Sequence, residues 1–383
     1  MIVPHPYYRL NPSRAVHING AIGRELLSRV TPQILKLQAN NRDPITVYID
    51  SPGGHVGNME TVLRMLKLSD QNSSGPCHII TAVTTQAASA AADLLSSGDY
   101  AVAYPHSAIL YHGMRTQENN PLTVEFTSVL TNILRRSNDI YAVELARKID
   151  DRFSFRFLIA RNEFDGIRAK RPNQQLSDLQ CFIEFIDEKL SSGARQVWQR
   201  AKDRHARYSD LFETVLKRVK GDVGKMTTAQ MEAAAIKAIV DFEVKANKTN
   251  SSWSFRGGGI ERLTDDFFLF NEYLSGFGGE RLQRWSTNWG KYILSPQVVQ
   301  EIESIADEKD RTKRMNEAVK PILEPLTSFF AAFCHALQEG ENELTASDAY
   351  WLGLIDEVVG EDHLLCLRHF EENQPDPSPQ NIS

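Results

Sequence analysis

Between Arg14 and His112 the chain alternates strand-like and helix-like signals with little spare sequence between them, and this alternation constrains the fold most. RAVHING is a short β-type run that ends in Asn19-Gly20, and RELLSRVTPQILKLQANN follows with apolar residues at helical spacing. ITVYID is a β-branched run bounded by Asp43-Pro44 and by Ser51-Pro52-Gly53-Gly54, the pattern of a buried parallel strand. METVLRMLKLSD restores helical spacing and CHIITAV returns to strand. The alanine-rich segment around Ser89 reads as helix again, and YAVAYPHSAILYHG holds two short strands broken at Pro105. Strands separated by helix-length crossovers predict an α/β core with parallel pairing.

After His112 the pattern changes. A long helix is predicted from about Leu122 past Asp150, and residues 158–320 read as a charged, mostly helical insertion. Residues 321–362 return to the α/β core through LTASDAYWLGLIDEVV: a helix capped by Thr345 or Ser347, a stop at Gly353, then a short strand. The first part of the core is taken as residues 1–157. Residues 363–383, with three prolines in their last stretch, read as a tail.

A net charge of −6 argues against a dedicated nucleic-acid binder. No window is apolar enough to span a membrane, and MIVPHPYYRLNPSR has no apolar segment of a secretory signal, so the reading is a soluble cytoplasmic protein. The four cysteines form no CxxC pair and read as reduced thiols. His363, Cys366 and His369 have a metal-like spacing but lack a fourth ligand and stand near the tail, so no metal site is expected there. The basic stretch RAKDRHARYSDLFETVLKRVKGDVGK reads as a solvated helix face. Trp253, Phe255, Phe267, Phe268, Phe270, Trp285 and Trp289 read as the core of the insertion, and Gly257 to Gly259 lack the context of a phosphate loop.

Three features can carry chemistry. Two glycines directly after a buried strand leave backbone N–H groups unshielded by any Cβ, and such groups can stabilise an oxyanion. Ser89 follows a strand, just inside a helix, where orphan N–H groups favour developing negative charge. His112 ends the strand AILYH, where an imidazole could take a proton from a nearby hydroxyl. Each has a plain structural explanation: a tight turn, a packing serine and a strand-end histidine.

In this order and spacing the features resemble the proteolytic subunit of the Clp protease. Its strand–SPGG turn stands here as YIDSPGG, its GQAASMGAxLL motif as TQAASAAADLL, and its MIHQP strand end as ILYHG. Its closing helix, of type SAxEAxxYGLID, stands as TASDAYWLGLIDEV. The resemblance covers about residues 14–150 and 320–360. It implies a ClpP/crotonase-like repeated ββα core, here with an inserted helical subdomain. It further implies Ser89 as nucleophile, His112 as general base, and Gly54 and Ala90 as donors of the oxyanion hole. The family's third member, an aspartate just before the closing helix, is absent; Glu341 stands there, between Glu339 and Glu343. Thr85 replaces a family glycine, and Ala90-Ala91 replace Met-Gly. Asp348 and Asp356 fall on structural positions of the closing motif. The implied activity is hydrolysis of unfolded protein or peptide through an acyl-enzyme, in a ring of identical subunits, with access regulated by the insertion or by a separate AAA+ unfoldase or activator. A catalytically idle scaffold or adaptor subunit is one alternative; another acyl-transfer enzyme of the crotonase-like group is the second.

Overall fold

The structure is a computed structural model that describes residues 8–68, 75–116, 123–218 and 278–366. Contacts divide the chain into two compact units: Met1–Arg115 with Glu144–Gln196 and Leu337–Ser383, and Thr116–Val143 with Val197–Ala336. These bounds differ from the expected insertion at both ends. Residues 158–196 pack with the α/β unit, residues 116–143 pack with the helical unit, and the chain re-enters the α/β unit at 337 rather than 321.

The α/β unit is built on a seven-stranded sheet: β1 (Ala15–Asn19), β2 (Ile45–Ser51), β3 (Ile79–Ala88), β4 (Tyr100–Ala103), β5 (Ala108–His112), β6 (Glu341–Thr345) and β7 (Glu357–Val358). The main path runs β1-β2-β3-β4-β7, all parallel. Three of its crossovers are the helices α1 (Arg24–Asn40), α2 (Val56–Leu66) and α3 (Ala90–Ser96). β2 and β3 read as near-continuous apolar runs because both faces of the sheet are covered here: Ile45, Val47, Ile49, Ile80, Ala82 and Val83 are fully buried, and Ile80 and Ala82 pack with Tyr100 and Val102 under Tyr8, Leu10 and Val359. β5 leaves the main path, pairing with the far end of β3 in parallel and with β6 in antiparallel.

The segment around Ser89 differs from its expected form. Thr84–Ala88 continue β3 as extended strand, and the helix begins only at Ala90. The pairing explains the extension: Gln86, Ala87 and Ala88 are claimed by the β5 ladder, and Ala87 also pairs with Ser51. Glu341 to Glu343 lie in the strand β6, with both glutamates on its exposed side.

The long helix after the histidine is α4 (Val124–Arg161). Its second half belongs to the α/β unit and holds the closing motif with two buried arginines. Arg152 donates to Asp356 at 2.7 Å and to the carbonyls of Ser96 and Gly98. Arg156 donates to the carbonyls of Tyr350, Ile355 and Asp356 and stacks on the Tyr350 ring at 3.6 Å. Asp356 also accepts from the Ala101 N–H, so one carboxylate ties β4, β7 and α4 together. Asp348 completes a capping box with Thr345 at the start of α11 (Ala346–Trp351) and accepts two bonds from Ser191. Both aspartates are structural, as expected. Four shorter or partly shared helices complete this side of the chain: α5 (Phe164–Ala169), α6 (Asp178–Lys189) and the first residues of α7 (Ser192–Arg218), besides α11.

The helical unit comprises the first part of α4, most of α7, and α8 (Gly278–Ile293), α9 (Pro296–Glu303) and α10 (Glu308–Leu337). Its core is aromatic: Trp198 meets Phe329 and Phe333 edge-on at 4.8 and 5.6 Å, and Trp285 is fully buried beside Phe330. Trp253, Phe255, Phe267, Phe268, Phe270, Gly257 to Gly259 and His369 lie outside the described residues, as does the basic stretch beyond Arg218. Among the described residues no helix is long and apolar enough to cross a membrane, and no cluster of side chains could hold a metal ion. None of the four cysteines forms a disulfide, and all four are buried.

Candidate active site

Where β2 ends, the chain must turn within four residues. Ser51 anchors the turn by donating to the Gly20 carbonyl at 2.7 Å and accepting from the Gly53 N–H. Gly53 has φ +89° and Gly54 φ +148°, and both are also pressed against other backbone. A Cβ on Gly53 would sit 2.3 Å from the Ala88 carbonyl oxygen and 2.7 Å from the Ser89 Cβ; one on Gly54 would sit 2.7 Å from the Ile22 carbonyl oxygen. Glycine is required on both counts. The turn therefore lies directly beside Ser89.

Ser89 caps α3 in a conformation that L-residues avoid, with φ 57° and ψ −128°. A sharp strand-to-helix turn of this kind lifts a serine hydroxyl out of the sheet, the logic of a nucleophile elbow. The strain is held by the surrounding lattice. The Ser89 N–H donates to the Leu110 carbonyl at 2.8 Å, its carbonyl accepts from Ala92 and Asp93, and Ala87, Ala90, Ala91 and Ala92 are buried around it. Neither the Ala90 N–H, at the first position of α3, nor the Gly54 N–H is taken by an acceptor among the described residues.

β5 lies between the serine strand and the acid strand, so His112 ends up beside both. Its Nδ1 is 2.6 Å from the Gly113 carbonyl oxygen; with the proton on Nδ1 this bond leaves a lone pair on Nε2. No hydrogen bond joins His112 to Ser89 among the described residues, a separation common in free enzymes. Glu341 is the register partner of His112 across the β5–β6 ladder. Directly opposed residues share a face. Yet the Glu341 carboxylate is two-thirds exposed and pairs with Arg115, so it makes no bond to the imidazole.

Three charged residues near this site escaped the sequence reading. Arg115 had no signal beyond its nearness to His112. Asp93 had one: it is the only charge between Thr84 and Leu95, four residues after Ser89 in an otherwise apolar helix. Burial pushes its carboxyl up to about 6, against the pull of Lys148 and of His112. Lys148, on α4, is itself lowered by burial, an effect opposed chiefly by Asp93. Nothing in RKID distinguishes Lys148 from a surface lysine.

Residues 3–150 match the Clp protease family model. The chain is 32% identical over 141 residues to the ATP-dependent Clp protease proteolytic subunit 2 of Gluconobacter oxydans, covering 36% of this chain and 61% of that protein. It is 31% identical over 108 residues to the ATP-dependent Clp protease proteolytic subunit of Carsonella ruddii, covering 28% and 53%. A solved structure of a ClpP1 point mutant from Listeria monocytogenes matches at 25% identity, over 36% of this chain and 73% of that one, with a TM-score of 0.29. The chain thus spans less than two thirds of the length of the two curated relatives. The four motifs, the α/β sheet that orders them and the family match over residues 3–150 make the chain a ClpP-like protein with an additional helical region.

Proposed function

We propose that the chain is a Clp-type serine endopeptidase that cleaves peptide bonds through an acyl-enzyme on Ser89. The observation that carries this reading is the backbone at Ser89: a strained strand-to-helix turn, pressed against a two-glycine loop, with two untaken N–H groups adjoining it. A packing serine has no need of φ 57°, which costs on the order of 1–3 kcal/mol. In the reaction, the Ser89 Oγ attacks the substrate carbonyl while His112 Nε2 takes its proton. The oxyanion accepts hydrogen bonds from the Gly54 and Ala90 N–H groups. His112 then protonates the leaving amine, and water activated by the same imidazole releases the acyl group. No metal or organic cofactor enters this chemistry.

The enzyme works as a homo-oligomeric ring in the cytoplasm, with access governed by the helical region or by a separate ATPase or activator. Val129, Ile133 and Ile140 support an oligomer: they lie four and seven residues apart on α4 and are each about half exposed, an apolar stripe that a lone subunit leaves in water. A fluorophosphonate probe tests the activity. Covalent labelling that disappears in Ser89→Ala and falls sharply in His112→Ala supports it, and full labelling of Ser89→Ala sinks it.

One arrangement favours a second reading, a catalytically idle scaffold: Ser89 and His112 are not hydrogen-bonded, and Glu341 is engaged by Arg115. Absence of Ser89-dependent labelling in the assembled protein, with and without a Clp ATPase, would select the scaffold.

A further inference from the structure

His112 and Glu341 face one another across the β5–β6 ladder, yet each is engaged elsewhere. The imidazole Nδ1 lies 2.6 Å from the Gly113 carbonyl oxygen, a neutral acceptor. The Glu341 carboxylate is held by the Arg115 guanidinium. All four residues belong to one corner of the α/β unit, where β5 ends and β6 begins.

We propose that Arg115 is a positioning residue that withholds the Glu341 carboxylate from His112, so that release of this ion pair turns the carboxylate onto the base. This rests on the reading of Ser89 and His112 as nucleophile and base. Strand register fixes what the carboxylate can reach. Directly opposed side chains of an antiparallel pair share a face, with Cβ atoms about 4.5–5.5 Å apart. A glutamate at position 341 therefore spans the gap to the imidazole by rotating its own side chain. Glu343 lies on the same exposed side of β6 but opposes Leu110, two residues before the base. Arg115 follows His112 by three residues, and its pair with Glu341 stands in solvent, the two side chains being 60% and 67% exposed.

The chemistry of the base gives the difference its weight. When His112 takes the proton of Ser89 it becomes a cation. A carbonyl on its Nδ1–H orients the ring but brings no charge to balance it, whereas a carboxylate does both. The competing attraction is weak: an exposed ion pair shifts an equilibrium by no more than about fivefold. Arg115 thus sets a balance between two directions of one side chain rather than a fixed state. A glutamate, one methylene longer than an aspartate, has the reach for both partners.

The test uses the full chain with a fluorophosphonate probe, in wild type, Arg115→Ala, Arg115→Lys and the double variant Arg115→Ala/Glu341→Gln. Arg115→Ala is expected to label roughly 2- to 5-fold faster than wild type. Arg115→Lys, which keeps a cation within reach of Glu341, shows less of the gain, and the double variant loses it. The double variant also separates positioning from the plain removal of a positive charge near the base, which would speed labelling with or without the carboxylate. An Arg115→Ala rate at or below that of wild type overturns the proposal, as does a gain that survives Glu341→Gln.

A second measurement reads the contact without activity. In Ser89→Ala protein with 15N-labelled histidine, the His112 ring signals are identified by their absence from a His112→Asn spectrum. Arg115→Ala is expected to move the Nδ1 signal, as its proton passes from a carbonyl to a carboxylate, and adding Glu341→Gln returns it. A signal that stays in place in Arg115→Ala, or moves equally when Glu341→Gln is added, overturns the proposal. A chain that takes no probe in any variant yet shows the Glu341-dependent movement sinks the peptidase reading while supporting the contact, so the two failures are separable.

Discussion

The turn at Ser89 and the core of the helical unit are both densely packed, but by opposite means. At the turn, backbone meets backbone: Gly53 lies against the Ala88 carbonyl, and the neighbouring side chains are pared down to alanine. In the helical unit, large rings fill the space between helices, with Trp198 set edge-on against Phe329 and Phe333. A region that must expose a strained hydroxyl cannot also surround it with bulk. A region that only has to hold helices together can use the largest side chains available. Sensitivity to change follows from this: one added methyl group decides the first region, and lost volume decides the second.

The largest effect is expected at Gly53. Gly53→Ala combines a Cβ 2.3 Å from a carbonyl oxygen with φ +89°, and should cost more than about 4 kcal/mol or prevent folding. Gly340→Ala is the control: its φ is +72° but nothing lies within 4 Å, so the loss should be near 1 kcal/mol. Urea denaturation separates them, and equal costs would break the argument from close approach.

Next comes Trp198→Ala, which removes a fully buried indole and should cost about 3–5 kcal/mol. Fluorescence-monitored unfolding reads the loss, and a cost under about 1 kcal/mol would mean that rings do not hold this unit.

The comparison extends to pH with opposite signs. Asp93 is raised from 3.8 to about 6, so its folded state holds a proton that the unfolded chain releases. The stability it lends is complete below about pH 4 and is lost as pH rises through 6, a change of about 3 kcal/mol. His205, in the helical unit, is lowered by burial from 6.5 to about 4. The unfolded chain then binds the extra proton, and stability is lost as pH falls from 6.5 to 4, by about 3 kcal/mol before allowance for its partial exposure. Asp93→Asn should therefore stabilise the protein at pH 7.5 and not at pH 4, and His205→Gln the reverse. Thermal denaturation of both variants at the two pH values checks the signs, and matching signs would refute the contrast.

The smallest effect is expected at the pair of Arg115 and Glu341, which lies in solvent. Arg115→Ala should change stability by less than about 1 kcal/mol, read by the same denaturation curves.

Several of these features could be read in the chain as written. The alternation from RAVHING to ILYHG determined a parallel α/β core, because period-two and period-3.6 patterns bury different faces and cannot be exchanged. SPGG, Ser89 and His112 were legible as candidates because glycine pairs, a lone serine and a strand-end histidine are local patterns with local causes. Tertiary structure alone decided the rest. The β3 strand runs on to Ala88 because β5 and Ser51 pair with it, contacts no window of sequence contains. Glu341 reached its place opposite His112 by strand register, but the direction of its carboxylate was settled by Arg115, 226 residues away along the chain. Asp93 and Lys148 bear on one another's charge only in the folded protein, and a charge is ordinary or consequential according to what surrounds it. Local pattern specifies the elements and the groups able to react; which charge meets which base depends on contacts between residues far apart in sequence.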